Sequence, residues 1–202
     1  MLKNHAVATG ILCSMLLFSV AVFLYPGGSY FDPYSQGFDW QYNYLSNLFN
    51  KTAINGMPNS ARFWAVGGMF FLCLSFALFF IRFTKNISSK SGQLVIKYAG
   101  IASMVCAFLT VSPLHDLMIS LSVSLALITL FYITIFLFKS ENNPLKVLGV
   151  ITLIVSYFSS YIYFTQNFID LLPLMQKITL LINLSFVLSV EYLLHQKVLN
   201  QN

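Results

Sequence analysis

Apolar residues arrive in six long blocks, separated by short polar breaks and by one long polar and aromatic segment. The blocks cover residues 6–24, 63–81, 94–111, 117–138, 145–164 and 174–194. Each comes close to the ~20 residues that an α-helix needs to cross a hydrocarbon core. The pattern predicts an all-α, polytopic membrane protein: a bundle of six transmembrane helices in a single membrane domain over residues 1–202, with a loop of residues 26–61 after the first helix. Lys3 and His5 ahead of the first block resemble the start of a signal peptide, whose apolar region is ~7–15 residues. Here the run is longer and ends at Tyr25-Pro26-Gly27-Gly28, so it reads as an uncleaved helix.

Composition excludes a soluble domain. Hydrophobic residues make up 57% of the chain and charged residues only 8%, against about 25% charged in soluble proteins. The net charge of +5 comes without any basic run, which argues against nucleic acid as a partner and leaves membrane lipids. The three cysteines all fall inside apolar blocks, where they read as small hydrophobes.

Charge changes the picture chiefly by orienting it. If all six blocks span, Lys3, Arg82, Lys85, Lys90, Lys97, Lys139, Lys146 and Lys197 share one side, and only Lys51, Arg62 and Lys177 the other. Cytoplasmic loops carry the excess of Lys and Arg, so both termini are expected in the cytoplasm. Asp32, Asp39, Asp116 and Asp170 then face outward, with Glu141 and Glu191 inside.

The 26–61 loop is dense in rings: Tyr30, Phe31, Tyr34, Phe38, Trp40, Tyr42, Tyr44 and Phe49, with Tyr25 beside it. Aromatic side chains favour the headgroup layer. The loop therefore reads either as an interfacial collar or as a lid over a lipid-facing pocket. Trp40, Tyr42, Tyr44, Ser46, Asn47 and Arg62 are its candidate lipid- or ligand-binding residues.

Small residues four apart, Ala99/Ser103/Ala107 and Ser120/Ser124, suit close helix contacts in lipid. Ser156, Ser159, Ser160 and Tyr163 form a polar stripe on the fifth block, read as packing glue ahead of a pathway lining. Glu191 and His195 are one helical turn apart and read as a solvated pair.

Candidate chemistry is confined to the outer face. His5 and His195 lie on one side of a core about 30 Å thick and His115 on the other, which rules out a three-histidine zinc centre. His115, Asp116, Asp39 and Asp170 are the candidate catalytic residues, since a histidine with carboxylates can act as a base or ligate a metal. The competing reading is structural: Ser112-Pro113 as helix N-cap and first helical residue, with Asp116 in the first turn, where the helix dipole favours an anion. No phosphate-binding glycine loop is present; neither a cofactor nor a metal is named by the sequence.

The run Asn43-Tyr44-Leu45-Ser46-Asn47-Leu48, followed by Pro58-Asn59-Ser60-Ala61-Arg62-Phe63 and Gly67-Gly68, resembles domain-of-unknown-function family 998. Pro113 and His115 match the proline and histidine that flank that family's third-to-fourth helix junction. The resemblance implies six helices over nearly the whole chain and, more distantly, a similarity to DRAM/Frag-type membrane proteins linked to lipid handling. The family's acidic residue is Asn47 here and its glycine is Phe49. The expectation is a lipid-interacting integral membrane protein acting through its aromatic loop. The alternatives are a lipid-modifying hydrolase or transferase built on His115, and a small transporter using the polar stripe.

Overall fold

The computed structural model describes residues 5–199, with the side chains followed through Leu193. Six long helices follow one another: α1 (Ala6–Leu24), α2 (Arg62–Thr84), α3 (Lys90–Leu109), α4 (His115–Phe138), α5 (Asn143–Thr165) and α6 (Leu172–Leu199). All six are long and apolar enough to cross a membrane. Their bounds agree with the apolar blocks in the middle and differ at the ends, where polar residues extend a helix that has already left the apolar run. Thus α3 begins at Lys90, because the Ser89 hydroxyl accepts from the Gly92 amide. The start of α5 is set by Asn142, whose side chain accepts from the Leu145 amide, with Pro144 in the first turn.

One expected cap is not there. Leu114, not Ser112, precedes the first residue of α4, and the Ser112 hydroxyl accepts from the Leu114 amide inside the preceding turn. Pro113 lies outside the helix. Asp116 does occupy the first turn.

Sequential helices pack side by side, α1 on α2 through to α5 on α6, and α6 closes back onto α2 and α1. In such an up-and-down bundle of six, the start of α1 and the end of α6 share one face and the 26–61 loop occupies the other. These are called the terminal face and the loop face below. Close approach depends on residues without bulk. A Cβ on Gly100 would sit 2.5 Å from the Phe80 ring, so only glycine lets α3 lie this near α2. Hydroxyl and amide groups link neighbours directly: Ser14 donates to the Gly68 carbonyl at 2.8 Å, and Ser122 to the Ser103 carbonyl at 3.0 Å. Ser103 is fully buried, as its spacing predicts. Ser120 and Ser124 instead bond back to their own helix, and Ser122 makes the contact with α3.

The two halves of the bundle differ. The main core gathers Val7 and Ile11 of α1 with Phe79 and Phe83 of α2, Ile96 of α3, Ile133 and Leu137 of α4, Leu145 of α5 and Phe186 and Val190 of α6. Every one of these lies toward the terminal face. Arg82 of α2 and Glu191 of α6 form an ion pair there. Glu191 is thus held by α2 rather than standing as a solvated partner of His195, whose side chain lies outside the described residues. Toward the loop face a smaller core joins Ala21 and Tyr25 to Leu48, Phe49 and Ala61 of the loop and to Ala65 of α2. Large apolar side chains such as Phe23, Phe131, Ile154 and Tyr157 point outward from the helices, the arrangement that lipid rather than water requires.

Candidate functional site

The loop between α1 and α2 is a folded cap, built on asparagines. Asn43 is fully buried: its amide nitrogen donates to the Gly28 carbonyl at 2.8 Å and its side-chain oxygen accepts from the Asp39 amide at 2.7 Å. Asn47 accepts from the Tyr44 amide at 2.7 Å and starts a short 3-10 turn, Leu45–Phe49. Asn59 donates to the carbonyls of Asn47, Leu48 and Asn50. Each bond satisfies a backbone group that a loop without strands leaves open. Gly27 and Gly28 are required as glycines, since both hold positive φ and a Cβ on either would meet backbone within 2.5 Å.

Two neighbouring residues of α6 fasten this cap to the bundle. The Gln176 side-chain oxygen accepts from the Leu45 amide at 3.2 Å. Lys177 is only 8% exposed, and its ammonium donates to the Asn43 carbonyl at 2.7 Å and the Pro173 carbonyl at 2.9 Å. The Phe38 ring lies 5.4 Å from the same nitrogen, and the Asp39 carboxylate acts on its charge. A buried cation is tolerated only when its donors are matched, and here carbonyls and a ring match them. From α2, the Arg62 Nε donates to the Phe49 carbonyl at 3.0 Å.

While these asparagines turn inward, the cap turns several rings outward, beside exposed polar residues such as Asp32, Gln41 and Lys51. Tyr34 is 92% exposed and Trp40 62%, and Tyr30, Phe31 and Phe63 are exposed beside them. Two of them are braced by other rings: Tyr42 stacks on Phe31 at 4.8 Å, and Trp40 meets Phe38 edge-on at 5.5 Å. Tyr44 is half-buried against Tyr30. Its phenol is pushed above the ordinary tyrosine range, first by burial and then by Tyr30 and the Asp170 carboxylate. Tyr25 is raised by burial too, against the lowering effect of the Ile54 amide on its hydroxyl. Ser46 is half-buried.

Beneath the cap lies a pocket that is open on one side. It has a volume of about 300 Å³ and is lined by α2 through α6, reaching from Leu172 and Gln176 down to Leu130 and Asn183. One wall is apolar, with Met104, Val123 and Leu127 among its residues; the other is polar and belongs to α5 and α6. The polar stripe Ser156, Ser159, Ser160 and Tyr163 therefore does more than pack. Asn183 donates to the Ser156 hydroxyl at 3.1 Å, gluing α6 to α5, and all four stripe residues line the cavity.

The candidate catalytic residues are not brought together. The His115 Nδ1 lies 2.9 Å from the Asp116 carboxylate, whose side chain is 93% exposed. Asp39 caps a turn, accepting from the amides of Gln41 and Tyr42. Asp170 is exposed beside Tyr44. Among the described residues no three His, Cys, Asp or Glu side chains converge as a metal site would need. The residues that sequence reasoning missed are Lys177, Gln176, Asn43 and Asn59. Lys177 does carry a signal, a lone cation inside an apolar helix, though charge counting alone places it only among the outer cations. Compared with protein-family models, curated proteins and solved structures, the chain matches none, so the likeness to domain-of-unknown-function family 998 rests on its motif residues alone.

Proposed function

We propose that this integral membrane protein holds lipid at its loop face, with the loop outside the cell and both termini in the cytoplasm. The observation that carries the reading is the cap itself. Its asparagines and the Lys177 clamp hold the cap against the bundle, and its exposed surface sets rings such as Tyr30, Phe31, Tyr34 and Trp40 among polar residues such as Asp32, Gln41 and Lys51. Rings with an apolar body and a polar tip suit the headgroup layer. The eight-to-three bias of cations between the two faces supports the orientation. The test is native mass spectrometry of protein released from its own membrane. Trp40→Ala with Tyr34→Ala, both on exposed positions, should lower bound lipid several-fold while leaving the melting temperature unchanged. Unchanged lipid occupancy removes the reading.

The contact between His115 and Asp116 favours a second reading, a lipid-modifying hydrolase or transferase with His115 as base. It requires His115→Ala to abolish turnover of some member of a lipid panel, and it falls if no member is turned over by the parent protein.

A further inference from the structure

At the terminal face an open groove runs between the end of α2 and the first two turns of α3. Two lysines line it, each four residues after another lining residue: Lys85 after Ile81, and Lys97 after Gln93. That spacing sets each pair on one side of its helix. The Thr84 hydroxyl and the Gln93 amide, also at the groove, donate to the Ile81 and Ile87 carbonyls. Both ammonium groups and the Tyr98 hydroxyl are left without a hydrogen bond or an ion pair among the described residues. The Lys97 ammonium lies 5.4 Å from the Tyr98 ring. No acid answers the two cations. Asp32, Asp39, Asp116 and Asp170 belong to the loop face, Glu191 is held by Arg82, and Glu141 lies in the turn between α4 and α5. Lys85 has a reason of its own to be there, since it follows the last residue of α2, where the helix dipole favours a cation. Lys97 has none: it stands about 10 Å inside α3, a helix long and apolar enough to span. A cation at that depth runs its stem toward the headgroup layer.

From this juxtaposition we propose that the α2–α3 groove is a binding site for an anionic phospholipid, whose phosphate sits between Lys85 and Lys97 and whose upper chain lies against Ile81 and Leu94. Charge complementarity carries the choice. Two like charges share one groove and repel, and an anion relieves them where no carboxylate does. Basic pockets between membrane helices suit anionic headgroups. A zwitterionic headgroup brings its own ammonium beside its phosphate, and no acid lines the groove to receive it. A free anion answers the lysines alone, whereas Leu94 is 56% exposed and borders the same groove with Ile81; an anion that carries alkyl chains covers both. The site lies on the face opposite the cap and serves in either orientation of the protein. It therefore stands or falls apart from lipid held at the loop face.

The test is native mass spectrometry of the full chain, released from nanodiscs that hold phosphatidylglycerol and phosphatidylcholine of equal chain length in equal amounts. The parent protein should retain phosphatidylglycerol about five- to twentyfold over phosphatidylcholine, since each lysine near a headgroup contributes a factor of about five. Lys85→Gln with Lys97→Gln should bring that ratio close to one without lowering the melting temperature, because neither lysine has an ion pair or hydrogen bond to lose. Lys97→Gln alone should lower the ratio about fivefold, and it carries the test if the double variant does not fold. Lys139→Gln with Lys146→Gln removes the same charge from the same face, away from the groove, and should leave the ratio within twofold. Trp40→Ala with Tyr34→Ala should leave it unchanged as well. A ratio near one in the parent protein would overturn the proposal, and so would an equal loss in the Lys139 and Lys146 variant, which would make the preference one of surface charge at large. Release of the phosphatidylglycerol by millimolar inorganic phosphate would also overturn it, and would make the groove a site for a free anion.

Discussion

The ammonium of Lys177 donates a 2.7 Å hydrogen bond to the backbone carbonyl of Asn43, 134 residues away in the chain. One bond thus joins α6 to the middle of the cap, at the residue whose side chain also holds Gly28 and Asp39 in place. Replacing Lys177 by Met keeps most of the stem and removes the donor, leaving two buried carbonyls short of a partner. The expected cost is about 1–3 kcal/mol, read as a lower melting temperature in detergent. It should come with faster hydrogen exchange in residues 38–49 and little change in α3 and α4. Lys177→Arg should not rescue it, because a planar fork cannot replace a point donor held between two carbonyls and a ring.

Glycines in the helices separate into two kinds by what surrounds them. At Gly100 a Cβ would meet the Phe80 ring at 2.5 Å, whereas at Gly67 it would reach Leu17 at an ordinary 3.5 Å. Gly100→Ala should destabilise by about 1–3 kcal/mol through overpacking, more than the roughly 1 kcal/mol that alanine gains in helix propensity. Gly67→Ala should be neutral or stabilising by about 0.5–1 kcal/mol. Thermal melts of the two variants check the contrast, and equal shifts would speak against the α2–α3 contact as described.

Alkali should loosen the cap. Tyr44 and Tyr25 both have phenols raised above the ordinary tyrosine value of 10.0, chiefly by burial. The folded protein holds these protons more tightly than the unfolded chain. Their contribution to stability is therefore complete below pH 10 and is lost as pH rises beyond it, through the folded values. Tyrosinate absorbance should show two groups titrating late, and Tyr44→Phe should remove one of them and flatten the fall in stability above pH 10.

Orientation is open to a direct check. In a background with Cys13, Cys73 and Cys106 replaced by alanine, Tyr34→Cys on the cap should react with a membrane-impermeant maleimide on intact cells. Glu141→Cys, in the turn between α4 and α5, should react only after permeabilisation. The opposite pattern would invert the protein.

The helices were legible because a run of about 20 apolar residues has few other meanings. Phase was less so. Spacing of four marks a small-residue face but not which way it points, and Ser122 lies about 200° from Ser120 at 100° per residue. That is why Ser120 and Ser124 were the wrong pair. The loop's rings announced an interface, but its architecture could not be read, because Asn43 and Asn59 bond backbone groups 9 to 15 residues away that carry no side-chain signature. Asn47 was marked as a ligand-binding candidate by a motif; its side-chain oxygen is occupied by the Tyr44 amide. An aspartate there would accept the same bond, so the departure from the family pattern leaves the turn intact. The cavity escaped notice because five helices contribute to it, and no single helix shows the hollow.

The central claim, that the ringed surface of the cap meets lipid, can be read from the protein's own fluorophores. Its two tryptophans, Trp40 and Trp64, both lie at the loop face. In nanodiscs, with Trp64→Phe isolating Trp40, lipids spin-labelled near the headgroup should quench the emission strongly and lipids labelled at the chain terminus weakly. Full quenching by aqueous iodide, with none by either lipid, would contradict the account.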